Sequence, residues 1–157
     1  MAKRQYYIYP TPMGRMTLVA DDAKLVQAYF GAKELTFDYR ACEVLNNAAT
    51  QLQEYLAGKR TTFDIPLAPQ GTDFQLSVWD AIARIPYGQT QTYAQIAEFI
   101  GNPNAFRAVG MAANKNPLPI FIPCHRVVGA NGQLVGYAYG TKIKEFLLNL
   151  EMSRDAT

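Results

Sequence analysis

The residues able to do chemistry gather in one stretch, Asn116-Pro117-Leu118-Pro119-Ile120-Phe121-Ile122-Pro123-Cys124-His125-Arg126-Val127-Val128. It holds the sole histidine and one of the two cysteines. A thiol has an ordinary pKa of about 8.5, so little of it is thiolate at neutral pH, and nucleophilic attack needs an activating base. His125 is the one imidazole that could serve. Neighbours on an extended chain point to opposite sides, so a bridging water is expected between thiol and ring rather than direct contact. An imidazole base is better oriented when a carboxylate takes its other nitrogen. Glu151, at the edge of the last helix's apolar stripe, is the candidate, with a solvated helix end as the bland reading. Cys124 also has two readings, a nucleophile or a buried structural thiol, because unpaired cysteine is among the most buried residue types.

The elements that must position these groups can be read along the chain. The apolar run before Cys124 reads as a buried strand. Pro117, Pro119 and Pro123 fix φ and remove backbone donors, which makes a stiff path suited to holding a side chain at one spot. Residues 5–30 alternate short β-rich runs with turns, Tyr6-Tyr7-Ile8-Tyr9, Met16–Ala20 and Leu25–Phe30, which predicts an antiparallel meander. From about Tyr39 the period becomes helical. Cys42, Leu45, Ala49, Leu52 and Leu56 share a stripe that Gly58 stops, so Cys42 reads as core.

The segment Ile65–Gly71, with two prolines and a glycine, is the expected linker, giving domains 1–70 and 71–157. Beyond it the chain turns helical. Phe74, Val78, Ile82 and Ile85 mark one helix. Thr92 is the expected cap of a second helix, whose stripe is Tyr93, Ile96, Ala97 and Ile100. Gly101 ends it, and Asn102-Pro103 reads as cap and first helical residue of a third. That third helix, about Asn104–Asn114, is expected to bury Phe106, Val109 and Ala113 and to show Arg107, Gly110, Met111 and Asn114. Two short helices around a glycine turn form a helix-turn-helix pattern. Gly110, with Ala108 and Ala112, keeps the second helix thin, either for close approach to DNA or for packing on another helix. Ile143, Phe146, Leu147 and Leu150 mark the last helix.

Composition sets bounds. Of 157 residues, 49% are hydrophobic, enough for a core without staples. No apolar run approaches the roughly 18 residues that span a bilayer, and the start lacks a signal peptide's apolar core, so a cytoplasmic protein is expected. Two cysteines and one histidine cannot make a four-ligand Cys/His zinc site. A carboxylate-completed site stays open, but no spacing suggests it, and no metal or cofactor is expected. A Cys42–Cys124 disulfide also stays open, with a reducing compartment arguing against it. Net charge is only +2, with eight basic against seven acidic residues over 1–70 and seven against six over 71–157. Composition alone does not suggest DNA, and any DNA site must use local charge, for which Arg107, Lys115 and Arg126 are the candidates.

The string Pro123-Cys124-His125-Arg126-Val127, with Asn116-Pro117 before it and Gly136-Tyr137 after it, resembles the active-site signature of the O6-alkylguanine-DNA alkyltransferases, the methylated-DNA–protein-cysteine methyltransferases. The resemblance is close from Phe74 to Glu151 and weaker before that. It implies an α+β fold, with a small RNase H-like antiparallel sheet and helix followed by a mainly helical domain carrying a helix-turn-helix. It implies irreversible, single-turnover transfer of an alkyl group from O6-alkylguanine in double-stranded DNA, with O4-alkylthymine a further substrate, by a monomer that binds the minor groove and flips the base. By the same resemblance Cys124 is the acceptor, His125 activates it through water, and Glu151 stands behind His125. Asn116 is the hinge between helix-turn-helix and active-site segment. Tyr93 promotes flipping and protonates guanine, and Arg107 enters the base stack. Ala108, Gly110, Lys115 and Arg126 complete the expected DNA contacts, and Tyr137, Ala138 and Tyr139 the base pocket. Some family members hold zinc in the N-terminal half, and the ligands for it are missing here. The family's loop often reads Gly-Tyr-small-Gly-Gly, whereas this chain has Tyr139 at the fourth place, a departure that bears on pocket size.

Three rival readings remain. A lesion-binding relative without transfer would lack Cys124. A helix-turn-helix regulator leaves the segment around Cys124 unexplained. A Cys-His hydrolase would turn over through an acyl-enzyme.

Overall fold

The computed structural model describes residues 3–134 and 137–155, the last two of these by backbone alone. Gly136, of the Gly136-Tyr137 string that carries part of the family resemblance, lies outside the described residues. The chain divides into two compact units, Met1–Gln70 and Gly71–Thr157.

In the first unit, strands β1 (Arg4–Tyr9), β2 (Met16–Asp21) and β3 (Lys24–Phe30) form the antiparallel meander, with Tyr7 opposite Leu18 and Leu18 opposite Ala28. A two-residue strand β4 (Asp38–Tyr39) adds a parallel edge beside β1, giving the order β3-β2-β1-β4. Two residues are too few to leave a periodic signal in sequence. Helix α1 (Glu43–Leu56) lies on the sheet, burying Leu45, Ala49, Leu52 and Leu56 as its stripe predicts. Cys42 is not in that stripe. It occupies the extended cap position before the helix and is half-buried, so the expectation of a core cysteine is corrected. The opposite sheet face packs Tyr6, Val19 and Val26 against Leu35, Phe37 and Ala68. Part of the proline-rich stretch expected as linker is stitched to β3, because Leu25 N donates to Pro66 O and Ala68 N donates to Leu25 O, both at 2.9 Å.

In the second unit, α2 (Asp73–Ala83) and α3 (Tyr93–Phe99) each start with a capping box. The Gln75 and Gln95 amides donate to the Thr72 and Thr92 hydroxyls, and the Gln side chains accept from the cap nitrogens. Helix α4 (Phe106–Asn114) packs on both α2 and α3, and buried Trp79 of α2 donates its indole N–H to Ala112 O at 2.8 Å. Gly101, at φ +81°, supplies the left-handed residue that ends α3. Asn102-Pro103 does not begin α4: Ala105 N donates to Asn102 O in a turn, and the helix starts at Phe106. A cap-and-proline pair and a tight turn use the same residue types, which is why the pattern misled. Phe106 is therefore a terminal residue and 47% exposed rather than buried, and the buried face is Val109, Ala112 and Ala113.

The segment before Cys124 is buried but is not a strand. It folds back on itself, with Ile122 N donating to Leu118 O and a bridge between Pro119 and Ile122. Three prolines in seven residues remove the donors a ladder needs. Ile120 sits at φ +74°, a conformation costing about 1–3 kcal/mol, offset here by complete burial of its side chain. The chain then makes a 3₁₀ turn, Cys124–Arg126, and enters β6 (Val127–Val128), which pairs in parallel with β5 (Gln91–Thr92). Helix α5 (Thr141–Asp155) buries Lys144, Leu147, Leu148 and Glu151, while Phe146 is 43% exposed. The expected stripe through Ile143, Phe146 and Leu150 is thus rotated, because two charged residues face inward.

Candidate active site

The 3₁₀ turn sets Cys124, His125 and Arg126 on successive directions, and all three are buried. Cys124 is 4% exposed. Its Sγ accepts from Asn116 Nδ2 at 3.1 Å, and the same nitrogen donates to Ile122 O at 2.8 Å. Asn116 Oδ1 in turn accepts from Leu118 N at 2.9 Å, so the amide is fixed at every atom. Asn116 is thus both the staple of the folded-back segment and a neighbour of the sulfur. Neither cysteine is in a disulfide.

Burial pushes the Cys124 thiol up to about 11, against the opposing effects of the Asn116 bond, the Lys144 charge and a bond from Tyr137. The resting group is therefore a thiol, and reaction requires its proton to leave. His125 Nε2 lies 2.7 Å from Glu151 Oε2, with both side chains sealed from solvent. Burial holds the imidazole below its usual range, opposed by the Glu151 bond and charge and reinforced by the charges of Arg126 and Lys144. Glu151 is raised by burial, but bonds and charges from His125 and Arg126 overcome this and hold it down at about 2. An ionised Glu151 can only accept, so Nε2 carries the ring hydrogen and Nδ1 the lone pair. The ring can take a proton on Nδ1.

Arg126 is not a DNA contact, which corrects the sequence expectation. Its guanidinium is buried, with Nε and Nη2 each donating to Glu151 at 2.9 Å and Nη1 donating to Ile85 O at 2.7 Å. Tyr87 lies under it, 5.7 Å from ring centroid to guanidinium carbon. Three of its five N–H donors are committed inside the protein and the residue is only 7% exposed, which turns it away from a phosphate.

Lys144 is the residue that sequence reading missed. It is fully buried, donates to Val127 O at 2.5 Å and lies 5.8 Å from the Tyr137 ring centroid. Burial lowers its ammonium to about 8, with the negative charge of a Cys124 thiolate opposing. Its signal was faint, since a lysine three residues before Leu147 looks like the polar face of an ordinary helix. Tyr93 is half-buried, and its hydroxyl is pushed up by burial and by Cys124, so it stays protonated. Tyr137 and Tyr139 are half-buried and meet edge-on at 5.4 Å, and the Tyr139 hydroxyl donates to Asn116 O at 3.0 Å. Ala138 beside them is exposed. On α4, Arg107 and Ala108 are exposed, with the Arg107 guanidinium 5.9 Å from the Phe106 ring centroid, and Lys115 is exposed just past the helix end. Gly110 is not forced by packing, because an added Cβ would meet the Tyr93 ring at 3.8 Å, an ordinary contact.

Among the described residues, no group of three or more His, Cys, Asp or Glu is placed to hold a metal.

A buried thiol next to an imidazole–carboxylate pair, in a unit built on a helix-turn-helix, fits the class of nucleic-acid-binding proteins that carry a reactive cysteine. Comparison with known proteins agrees and is more specific. Residues 73–153 match the DNA-binding domain of 6-O-methylguanine DNA methyltransferase, and residues 5–69 match its ribonuclease-like domain. The chain is 50% identical over 153 residues to a methylated-DNA–protein-cysteine methyltransferase of Methanosarcina acetivorans, covering 94% of this chain and 98% of that one. It is 43% identical over 155 residues to the constitutive enzyme of Bacillus subtilis, covering 93% and 94%. The Mycobacterium tuberculosis protein solved in complex with DNA superposes with a TM-score of 0.88 at 42% identity, over 96% of this chain and 94% of that one. The chain belongs to the 6-O-methylguanine DNA methyltransferase family and is a DNA-binding methyltransferase of DNA repair.

Proposed function

We propose that Cys124 takes the alkyl group from O6-alkylguanine in duplex DNA. The observation that carries this reading is two buried pairs meeting at one 3₁₀ turn, Cys124 with Asn116 at 3.1 Å and His125 with Glu151 at 2.7 Å. The ether carbon is inert to ordinary side chains, so displacement needs a thiolate and a leaving base whose charge is neutralised. His125 Nδ1 receives the thiol proton through a water. The sulfur then forms a bond to the alkyl carbon as the carbon–O6 bond breaks. Tyr93 gives a proton to the departing guanine and is reprotonated through solvent. Lys144 stabilises the thiolate in a site shielded from bulk solvent.

A cysteine only 4% exposed cannot reach a stacked base, so the base leaves the helix at a cost of a few kcal/mol. Arg107 fills the gap, Lys115 contacts phosphate, and the small residues Ala108 and Gly110 let α4 approach the minor groove. Tyr137, Ala138 and Tyr139 line the space for the base, and Asn116 hinges the two parts. The thioether is not hydrolysed, so each chain reacts once. O4-alkylthymine offers the same ether carbon and is a second substrate. The protein acts as a cytoplasmic monomer on its own. The first unit, 1–70, supports the second, 71–157, which binds DNA and carries the transfer.

Intact-protein mass spectrometry after exposure to O6-methylguanine duplex tests this. A stable gain of one methylene, mapped to Cys124 and never exceeding one per chain, is expected. No adduct, an adduct on Cys42, or multiple turnover would overturn it.

A further inference from the structure

Arg126 needs a purpose, having no route to DNA. Four donors converge on the Glu151 carboxylate. His125 Nε2 and Arg126 Nη2 share Oε2 at 2.7 and 2.9 Å, while Arg126 Nε and Gly88 N share Oε1 at 2.9 and 3.2 Å. The third guanidinium nitrogen is tied to Ile85 O, so the fork cannot swing. The imidazole therefore faces an already neutralised carboxylate–guanidinium pair, not a bare anion.

That difference decides what the ring can do. A lone buried carboxylate favours imidazolium, because the ion pair it makes is neutral overall. With Arg126 in place, protonating His125 leaves a net positive charge buried away from bulk solvent. The other charged group facing the ring, Lys144 from α5, has the same sign. The remaining titratable neighbours are Cys124, which precedes the ring in the turn, and Tyr87, which lies under Arg126.

We propose that Arg126 is a positioning residue of the transfer reaction: it locks Glu151 and cancels its charge, so that His125 stays the neutral Nε2–H tautomer with Nδ1 ready as base. The consequence for catalysis rests on His125 being the base in the proposed transfer. The charge cancellation does not, and it can be read separately.

The sole histidine makes the test direct, because NMR of the tag-free protein shows one imidazole. In the native protein the ring resonances should report the Nε2–H tautomer, with no titration above the ordinary imidazole range. Arg126→Met should raise the midpoint of His125 by on the order of one pH unit or more. The acid limb of methyl transfer from duplex DNA should move up by the same amount. DNA affinity and its salt dependence, measured in a Cys124→Ser background, should not change. An unchanged midpoint, or a rate lowered equally at every pH, would reduce Arg126 to a structural residue. Loss of DNA affinity with a shallower salt slope would restore the phosphate reading.

Since Arg126→Met leaves Glu151 buried and unpaired, two further variants keep the test decisive should it fail to fold. Arg126→Lys retains the charge and should leave the midpoint near native. Arg126→Met/Glu151→Gln removes both charges and should do the same. A raised midpoint in either overturns the proposal. If no form transfers methyl, the proposed function fails, while the midpoints still judge the role of Arg126.

Discussion

Helices α4 and α5 carry similar residue types and use them in opposite ways. The cations at α4, Arg107 and Lys115, are exposed, whereas α5 turns Lys144 and Glu151 fully inward. Outward charges on α4 act in water, where each is worth little alone and several together draw a polyanion. Inward charges on α5 act without water, where each fixes the protonation of a neighbour. In the proposed function the outer set selects where the protein sits, and the inner set decides what its sulfur can do. Lys144 and Glu151 cancel, so the inward pair leaves the net charge of +2 unchanged, and any DNA site on this near-neutral chain depends on cations gathered locally at α4.

The most severe break in that contrast removes the group the inner set serves. Cys124→Ala should abolish methyl transfer entirely while lesion affinity, which the proposed function assigns to α4 and the loop 137–139, is kept. Labelled methyl on the Cys124→Ala protein would show that another residue accepts it.

Next in size is Glu151→Ala, which strands the Arg126 guanidinium and should cost about 3–5 kcal/mol of stability. The same carboxylate gives a pH signature. Its folded pKa is about 2, below the ordinary 4.5, so it contributes stability above pH 4.5 that is lost as pH falls through that window. The amount is on the order of 3 kcal/mol. Urea unfolding of native and Glu151→Gln proteins across this range should show the native curve falling with acid and the variant curve staying flat there.

Lys144 should cost stability at neutral pH, where Glu151 contributes it. Its folded pKa is lowered to about 8 from 10.5, so the folded chain releases the proton first and stability rises with pH between those values. Lys144→Met should therefore be more stable at pH 7, by about 1–2 kcal/mol, and lose that rise. It should also react more slowly, since the Cys124 thiolate loses its cation. A variant that is both stabilised and fully active would remove Lys144 from the inner set.

The legibility of these features followed their physics. The Thr92 cap, the α3 stripe and the antiparallel strands are local patterns, and each appears where the sequence places it. Cys124, His125 and Glu151 were legible because their types are rare and one carboxylate lay at the right helical spacing. Arg126 and Lys144 were misjudged for one shared reason: a sequence shows a charge but not its partner, and unpaired charges belong outside. Here the partners are 25 residues from Arg126 in Glu151 and 17 from Lys144 in the Val127 carbonyl. The folded-back segment before Cys124 was read as a strand because an apolar run reports burial, and burial alone does not fix backbone direction.

On the outer side, Arg107→Ala should lower methyl transfer from duplex DNA by about tenfold, roughly 1.4 kcal/mol, while reaction with the free modified base stays nearly unchanged. Equal loss on both substrates would move Arg107 from the outer set to the inner one.

The smallest effect tests the seam between the two sets. Tyr139 belongs to the α5 side, yet its hydroxyl donates to the Asn116 carbonyl just beyond the end of α4. Its side chain could matter in two ways, which differ in size and can be separated. The ring adds volume where the family often has glycine, and overpacking a close-fitting site costs about 1–3 kcal/mol. The hydroxyl adds one bond worth about 0.5–1.5 kcal/mol. A methyl group occupies little of the disputed space, so neither change should alter methyl transfer from duplex DNA much. A benzylated free base needs the room. If the ring narrows the pocket, Tyr139→Phe should react with that base like the native protein, and Tyr139→Gly about tenfold faster. If the anchor to Asn116 matters instead, Tyr139→Phe alone should already change the rate, because it keeps the volume and loses only the bond. Equal inactivation rates for the native, Phe and Gly forms would show that Tyr139 neither fills the pocket nor fixes Asn116.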